Sequence, residues 1–225
     1  MAALSLGIWE VFFLRLSALR NSAEARTLSV ATASGQMRRL VVGPQNPYWA
    51  PLDSVSPALA LCVVKSEDAR FFQHGGFDWR ELRESVAANL AEGDYARGGS
   101  TLTMQLAKNL FLWRGKSLVR KALEAYLNWR LERTLTKRRI LELYLNVVEW
   151  GPGVYGIGEA SRHYFDKPAS ALTIGESALL AAILPNPVRW SPDRAPQVAL
   201  RRQQELLARL RRENALAELG VLPFK

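Results

Sequence analysis

The sequence predicts a mainly α-helical domain with a short β lead-in, on three observations. Helix-start signals recur from Ser56 onward, at Ser56-Pro57, Asp78, Ser117, Thr136 and Thr173. The stretch 21–51 instead mixes β-branched residues with Gly35, Gly43, Pro44, Pro47 and Pro51. At 225 residues, with 48% hydrophobic and 23% charged content, the chain can build one substantial core and is too apolar for disorder.

Met1–Leu19 is apolar, but Glu10 and Arg15 interrupt it. Its uncharged part would rise roughly 13 Å as a helix, against a bilayer core of ~30 Å. No basic stretch precedes it and no small-residue cleavage site follows, which argues against a cleaved signal peptide. Residues 1–20 are therefore expected to form an interfacial helix or the end of an anchor, with a terminal helix packed on the domain as the alternative. Residues 21–51 read as a loop with short strands near Leu28–Val30 and Leu40–Val42.

Residues 52–192 form the main domain. Ser56 and Pro57 supply the N-cap and first position of a helix over Ala58–Lys65. Asp78 with Glu81 resembles a capping box for a helix to about Ala91. Ser117 caps a long helix to about Arg133, with Leu118, Ala122, Ala125 and Trp129 spaced for one buried face. Thr136 caps the next, whose apolar stripe is Ile140, Leu141, Tyr144 and Val147 or Val148. Thr173 and Glu176 form a capping box opening an Ala/Leu-rich helix that stops at Pro185-Asn186-Pro187. Residues 193–225 hold a basic helix, Ala195–Leu219, packed on the domain. Cys62 lies in the apolar run Leu59–Val64 and reads as a buried small hydrophobe, so no disulfide or zinc set is available.

The net charge is +9, and the stretch 97–139 carries eleven Lys/Arg against two acids, Glu124 and Glu132. Such a field suits nucleic acid, an anionic membrane or a phosphorylated substrate, with solvated helix faces as the bland alternative. Glu67 and Asp68 stand near Phe71 and His74, while Gly98-Gly99-Ser100-Thr101 leads into a helix ending at Lys108-Asn109. A carboxylate base facing a cationic pocket suits sugar transfer from an anionic leaving group. Taken singly these residues are weak signals. Gly98–Thr101 lacks the Gly-Lys-Ser/Thr order of a P-loop, and His74 fits a structural histidine.

In combination they resemble the monofunctional biosynthetic peptidoglycan transglycosylases, whose catalytic domain also fronts bifunctional penicillin-binding proteins. The resemblance rests on Glu67, Asp68, Phe71, His74, Gly75 and Asp78; on Gly98 through Gln105 to Asn109; on Arg120, Lys121 and Glu124; and on the run Lys137 to Asn146. The turn Trp150 to Gly156 and Tyr164–Lys167 extend it. It implies a lysozyme-like helical glycosyltransferase domain with a small membrane-proximal lobe. It implies polymerisation of lipid II, in which the 4-hydroxyl of an acceptor disaccharide attacks C1 of a donor bearing undecaprenyl diphosphate, inverting it to a β-1,4 bond. Glu67 matches the family's base, worth ~10²–10⁴ in rate.

Lys108, Lys116, Arg120 and Lys121 are expected at the diphosphate, with Gly99, Ser100, Thr101 and Gln105 along the sugar and phosphate track. Glu124 is expected to organise the diphosphate, the cations or a divalent metal, magnesium or manganese, with no organic cofactor. Asp68, Phe71, His74 and Asn109 are supporting, Asn109 by holding local backbone. The implied partners are lipid II, the nascent glycan strand, the bacterial membrane and cell-wall synthesis or division proteins, with no nucleic acid. The implied place is the inner membrane, with the catalytic domain on its periplasmic face.

Met104 stands where relatives carry the first Gln of a pair, removing an amide from the expected cleft, and Lys116 where many carry Arg. The chain ends at Lys225 without a transpeptidase module, which fits a monofunctional enzyme. A lysozyme-type hydrolase is the nearest rival, but cutting a neutral glycan needs no cationic Lys108–Lys121 tract. Leu110-Phe111-Leu112-Trp113 is a candidate lipid-contacting surface, with core packing as its alternative.

Overall fold

The computed structural model describes residues 16–20, 26–31, 37–92, 99–113, 115 and 117–215. Among these it contains eight α-helices and two two-stranded hairpins. The fold class is the mainly helical one expected. Lys116, Gly98 and most of the N-terminal apolar stretch lie outside the described residues. The C-terminal helix, expected over Ala195–Leu219, runs only from Gln197 to Arg212, because Asn214 at φ +51° turns the chain there. No helix among the described residues is long and apolar enough to cross a membrane.

Strands β1 (Arg26–Ala31) and β2 (Met37–Val42) pair antiparallel, with Leu28 opposite Leu40, and contain both expected strands. The helices are α1 (Pro57–Glu67), α2 (Trp79–Glu92), α3 (Leu102–Phe111), α4 (Leu118–Thr134), α5 (Lys137–Val147), α6 (Ile157–Phe165), α7 (Ile174–Ile183) and α8 (Gln197–Arg212). Between α5 and α6 a tight hairpin, β3 (Glu149–Gly151) and β4 (Val154–Tyr155), replaces what reads in sequence as a turn.

Several caps follow the sequence. Ser117, Thr136 and Thr173 each accept a hydrogen bond from the backbone N–H three residues on, and Glu176 completes the Thr173 capping box. Ser56 departs from expectation: its hydroxyl donates to Leu172 O at 2.8 Å, tying the start of α1 to the α7 entry instead of capping.

Two helical groups share the core. In one, α1 packs on α7 and α7 on α8; α1 is buried from Ala58 to Val64, which explains its unbroken apolar run. In the other, α3 packs on α4 and α5. Cys62 is fully buried, and burial pushes its thiol up to about 12. Leu110 and Leu112 are core, and Phe111 and Trp113 pack against it, so the core reading of that stretch holds.

The buried face of α4 is Leu123, Glu124, Leu127, Asn128 and Leu131, not the stripe expected from sequence. Leu118 is 91% exposed and Trp129 48%. The helix turns inward the face carrying Leu123, Leu127 and Leu131, which pack into the core against other elements, and Glu124 goes in with them, paired to Arg120 and Lys121 of its own helix.

Candidate active site

Glu67 is the last residue of α1, so it projects from the first helical group where that group meets the second. The chain leaves α1 at Asp68, which is buried and locked on both oxygens. Its Oδ2 accepts from Leu102 N at 3.0 Å, and its Oδ1 accepts from His74 Nε2 at 2.8 Å. Gly76 N donates to His74 Nδ1 at 3.1 Å, so the neutral ring carries its proton on Nε2. Asp68 thereby joins the end of α1 to the start of α3, and His74 holds the connecting loop. Phe71 is fully buried core, with the Lys137 ammonium 4.3 Å from its ring centroid.

Thr101 closes the same junction. Its hydroxyl donates to Gly76 O at 2.8 Å and accepts from Met104 N, capping α3. A buried cap is therefore its place, rather than the expected sugar track. Gly99 and Ser100 are the partly buried loop entering α3, with Gly99 against Leu82.

Gln105 is the one expected track residue that meets Glu67. Its Nε2 donates to Glu67 Oε2 at 2.9 Å, and Tyr144 Oη donates to its Oε1 at 3.0 Å. Fully buried Tyr144, from α5, keeps its proton because burial and then the Glu67 charge push its pKa well up. A phenol that donates forces the amide oxygen toward itself and the amide N–H toward Glu67. Burial also raises the Glu67 pKa, while the Gln105 hydrogen bond and the charges of Arg202 and Lys108 pull it back and Asp68 adds to the rise. The net direction is upward, toward a stronger base.

Beyond Gln105 opens a cleft of about 470 Å³. Gln105, Lys108, Asn109 and Leu112 line it at the spacing of one helical face of α3. Asn109, expected to hold local backbone, is a cleft residue. Met104 lies on the inward side of α3 and is buried, so replacing Gln there does not strip an amide from this wall.

Arg120 reaches the cleft from α4, its Nε donating to Gly115 O at 2.6 Å. Behind it, buried Glu124 accepts from Arg120 Nη1 at 2.7 Å and from Lys121 Nζ at 2.6 Å. Both carboxylate oxygens are thus engaged by fixed cations. A divalent metal at Glu124 would stand against two positive charges, so this donor set does not fit one. The arrangement fits the other expected role, organising cations. Asp68, His74 and Asp78 are also close enough together to ligate. Asp68 is committed to His74 and Leu102, and Asp78 to Arg70 and Glu81 N.

Residues 34–211 match the family described as Transglycosylase. The chain belongs to the transglycosylase family. Among similar proteins, one from Pectobacterium atrosepticum, named a biosynthetic peptidoglycan transglycosylase, is 47% identical over 163 residues, 72% of this chain and 66% of its own length. Relatives of the same name from Nitrobacter winogradskyi and Rhizobium johnstonii are 50% and 52% identical, over 73% and 62% of this chain and 73% and 57% of theirs. The chain thus spans about two thirds of the length of the relatives it matches.

This transglycosylase chain places its remaining motif residues in structural roles. Asn146 clamps Ala50 by accepting from its N–H at 2.9 Å and donating to its carbonyl at 2.8 Å, while Glu142 accepts from Leu52 N. The motif from Lys137 to Asn146 therefore pins the lead-in and, through Tyr144, orients Gln105. Four residues that the structure brings to the cleft or to Glu67 and Gln105 have no site assignment in the sequence reading. Tyr144 reads there as apolar stripe and as part of the Lys137–Asn146 motif, with no contact to Gln105. Asn186, set between two prolines on the cleft wall, reads as a helix stop, and Glu149 of β3 lies just ahead of the turn expected from Trp150 to Gly156, without a reading of its own. Arg202 of α8, whose charge acts on Glu67, has no local signal at all.

Proposed function

We propose that the chain polymerises glycan strands from lipid II. The acceptor's 4-hydroxyl oxygen bonds to C1 of the donor sugar as the bond from C1 to the diphosphate oxygen breaks. Glu67 takes the hydroxyl proton, and undecaprenyl diphosphate leaves with the bonding pair. Attack opposite the leaving group inverts C1 to a β-1,4 linkage. The observation carrying this reading is the continuity of Glu67, Gln105, Lys108 and Arg120. A partly buried carboxylate is hydrogen-bonded by an amide, Gln105, that itself lines a cleft shared with Lys108 and Arg120. Charge develops on the leaving diphosphate, so cations fixed there stabilise the transition state more than the ground state. The Glu124 bridge holds Arg120 and Lys121 in place before substrate arrives. On this reading the enzyme works at the periplasmic face of the inner membrane, where its lipid-linked substrate lies.

Incubation with labelled lipid II tests it. Wild type should make polymer that muramidase digests, and Glu67→Gln should lose ~10²–10⁴ in rate. Absence of polymer from wild type across several detergents would refute the polymerase reading.

A further inference from the structure

A pocket of about 400 Å³ lies on the loop between α1 and α2, shares no residue with the cleft, and is unused by the chemistry above. An aromatic pair lines it. The Phe77 and Trp79 rings stack with centroids 5.3 Å apart and planes 21° apart, and Trp79 is 61% exposed. Asp78, between them in sequence, is buried and fixed: it accepts from Glu81 N at 2.9 Å and from Arg70 Nε at 2.8 Å. The two rings therefore stand on a braced turn before any ligand arrives. Leu82, one turn further along α2, lies against Gly99 and does not line the pocket.

The rest of the lining is polar and charge-matched. Arg70 pairs with Asp78 and Arg80 with Glu84, so each guanidinium already has a carboxylate of its own. An anionic headgroup or a nucleic acid backbone finds no surplus cation here, unlike at the cleft wall. Gln73 is exposed, and Gly75 leaves open space, with nothing within 4 Å of where a Cβ would stand. A flat ring face bordered by an amide and paired guanidiniums suits a pyranose. Its C–H face lies on the indole, while its hydroxyls and acetamido group meet planar side chains that donate and accept. A purely apolar ligand would leave those polar groups without partners. The pocket also sits on the loop that starts at Glu67. His74 lines it and holds Asp68, the next residue after Glu67, through Nε2 at 2.8 Å.

We propose that the Phe77–Trp79 platform is a saccharide subsite outside the cleft, which holds the N-acetylated product strand by ring stacking and uncharged hydrogen bonds. That the pocket takes an N-acetylated saccharide stands on its own lining. That this saccharide is the strand made at Glu67 rests on the polymerase reading.

The test titrates the full chain with chitotetraose, an N-acetylated tetrasaccharide without lipid or phosphate, and reads binding by NMR. Binding in the millimolar range is expected, and Trp79→Ala should weaken it about tenfold while Trp79→Phe keeps most of it. Because Trp79 is exposed, both variants should melt close to wild type. Cellotetraose, which lacks acetamido groups, should bind more weakly. A moenomycin-type phosphoglycolipid, directed at the cationic cleft, should not displace chitotetraose, and Glu67→Gln should bind it as wild type does. With labelled lipid II, Trp79→Ala should make shorter strands at an unchanged initial rate. If wild type makes no polymer, the polymerase reading falls, and the chitotetraose titration still decides the pocket. Absence of chitotetraose binding, binding that Trp79→Ala leaves intact, equal binding of cellotetraose, or displacement by the phosphoglycolipid overturns the proposal. Unchanged strand length from Trp79→Ala overturns its link to the product.

Discussion

Burial makes Glu67 costly to the fold and, on the proposed function, a stronger base. Burial raises its folded pKa above the ordinary 4.5, so the folded chain holds that proton more tightly than the unfolded chain does. Stability from this group is full below about pH 4.5 and is lost as pH rises through the folded value. Glu67→Gln cannot ionise, so it should melt higher than wild type at pH 7, by about 2–4 °C for each kcal/mol relieved. Calorimetry should show that gain vanish at pH 4; a gain that persists there would mean burial is not its cause. Tyr144→Phe removes one buried hydrogen bond, costing about 1 kcal/mol, and frees the Gln105 amide to turn its oxygen toward the base. We expect kcat to fall several-fold and the kcat–pH profile to move, with binding of a moenomycin-type phosphoglycolipid unchanged. A loss of stability alone, with kcat and its pH profile intact, would leave Tyr144 no positioning role.

At the scale of elements, the junction of α1 and α3 is what positions Glu67. Thr101→Ala should cost about 1 kcal/mol as a lost cap, read from chemical denaturation. Gly76→Ala should cost more. Gly76 has φ +94°, and a Cβ there would stand 2.8 Å from the Asn128 side chain of α4. Denaturation midpoints that order these two variants the other way would put the strain elsewhere. On α4, Glu124→Gln leaves the helix intact but replaces a charge that two cations share. Turnover and phosphoglycolipid binding should both weaken, since Arg120 and Lys121 lose the anchor between them. Much of this was legible locally. Ser117, Thr136, Thr173 and Glu176 are recognisable because capping is decided within four residues. The burial of α4 was not, since Leu118, Ala122, Ala125 and Trp129 satisfy helical spacing as well as the true inner face does. Which face turns inward depends on partners far away in sequence.

Across the whole molecule, the positive charge divides into a cleft wall, an outward helix face and the basic α8. Raising ionic strength from 0.1 to 1 M shortens the Debye length from about 10 to 3 Å. On the proposed function, capture of a lipid-linked diphosphate should weaken as a rise in KM with kcat less affected, measured with detergent-solubilised lipid II. A fall in kcat alone would argue that the cations do not act at binding.

The sequence by itself determined the helical class, most caps, the buried Cys62 and the family, because these rest on local periodicity and on ordered motifs. Only the tertiary structure decided that Gln105 and Tyr144 orient Glu67, that Thr101 is a cap and Asn109 a cleft residue, and that the Arg202 charge acts on Glu67. It also turned the apolar stripe of α4 outward. Each of these depends on side chains brought together from distant parts of the chain, and spacing along one helix carries no record of what faces it.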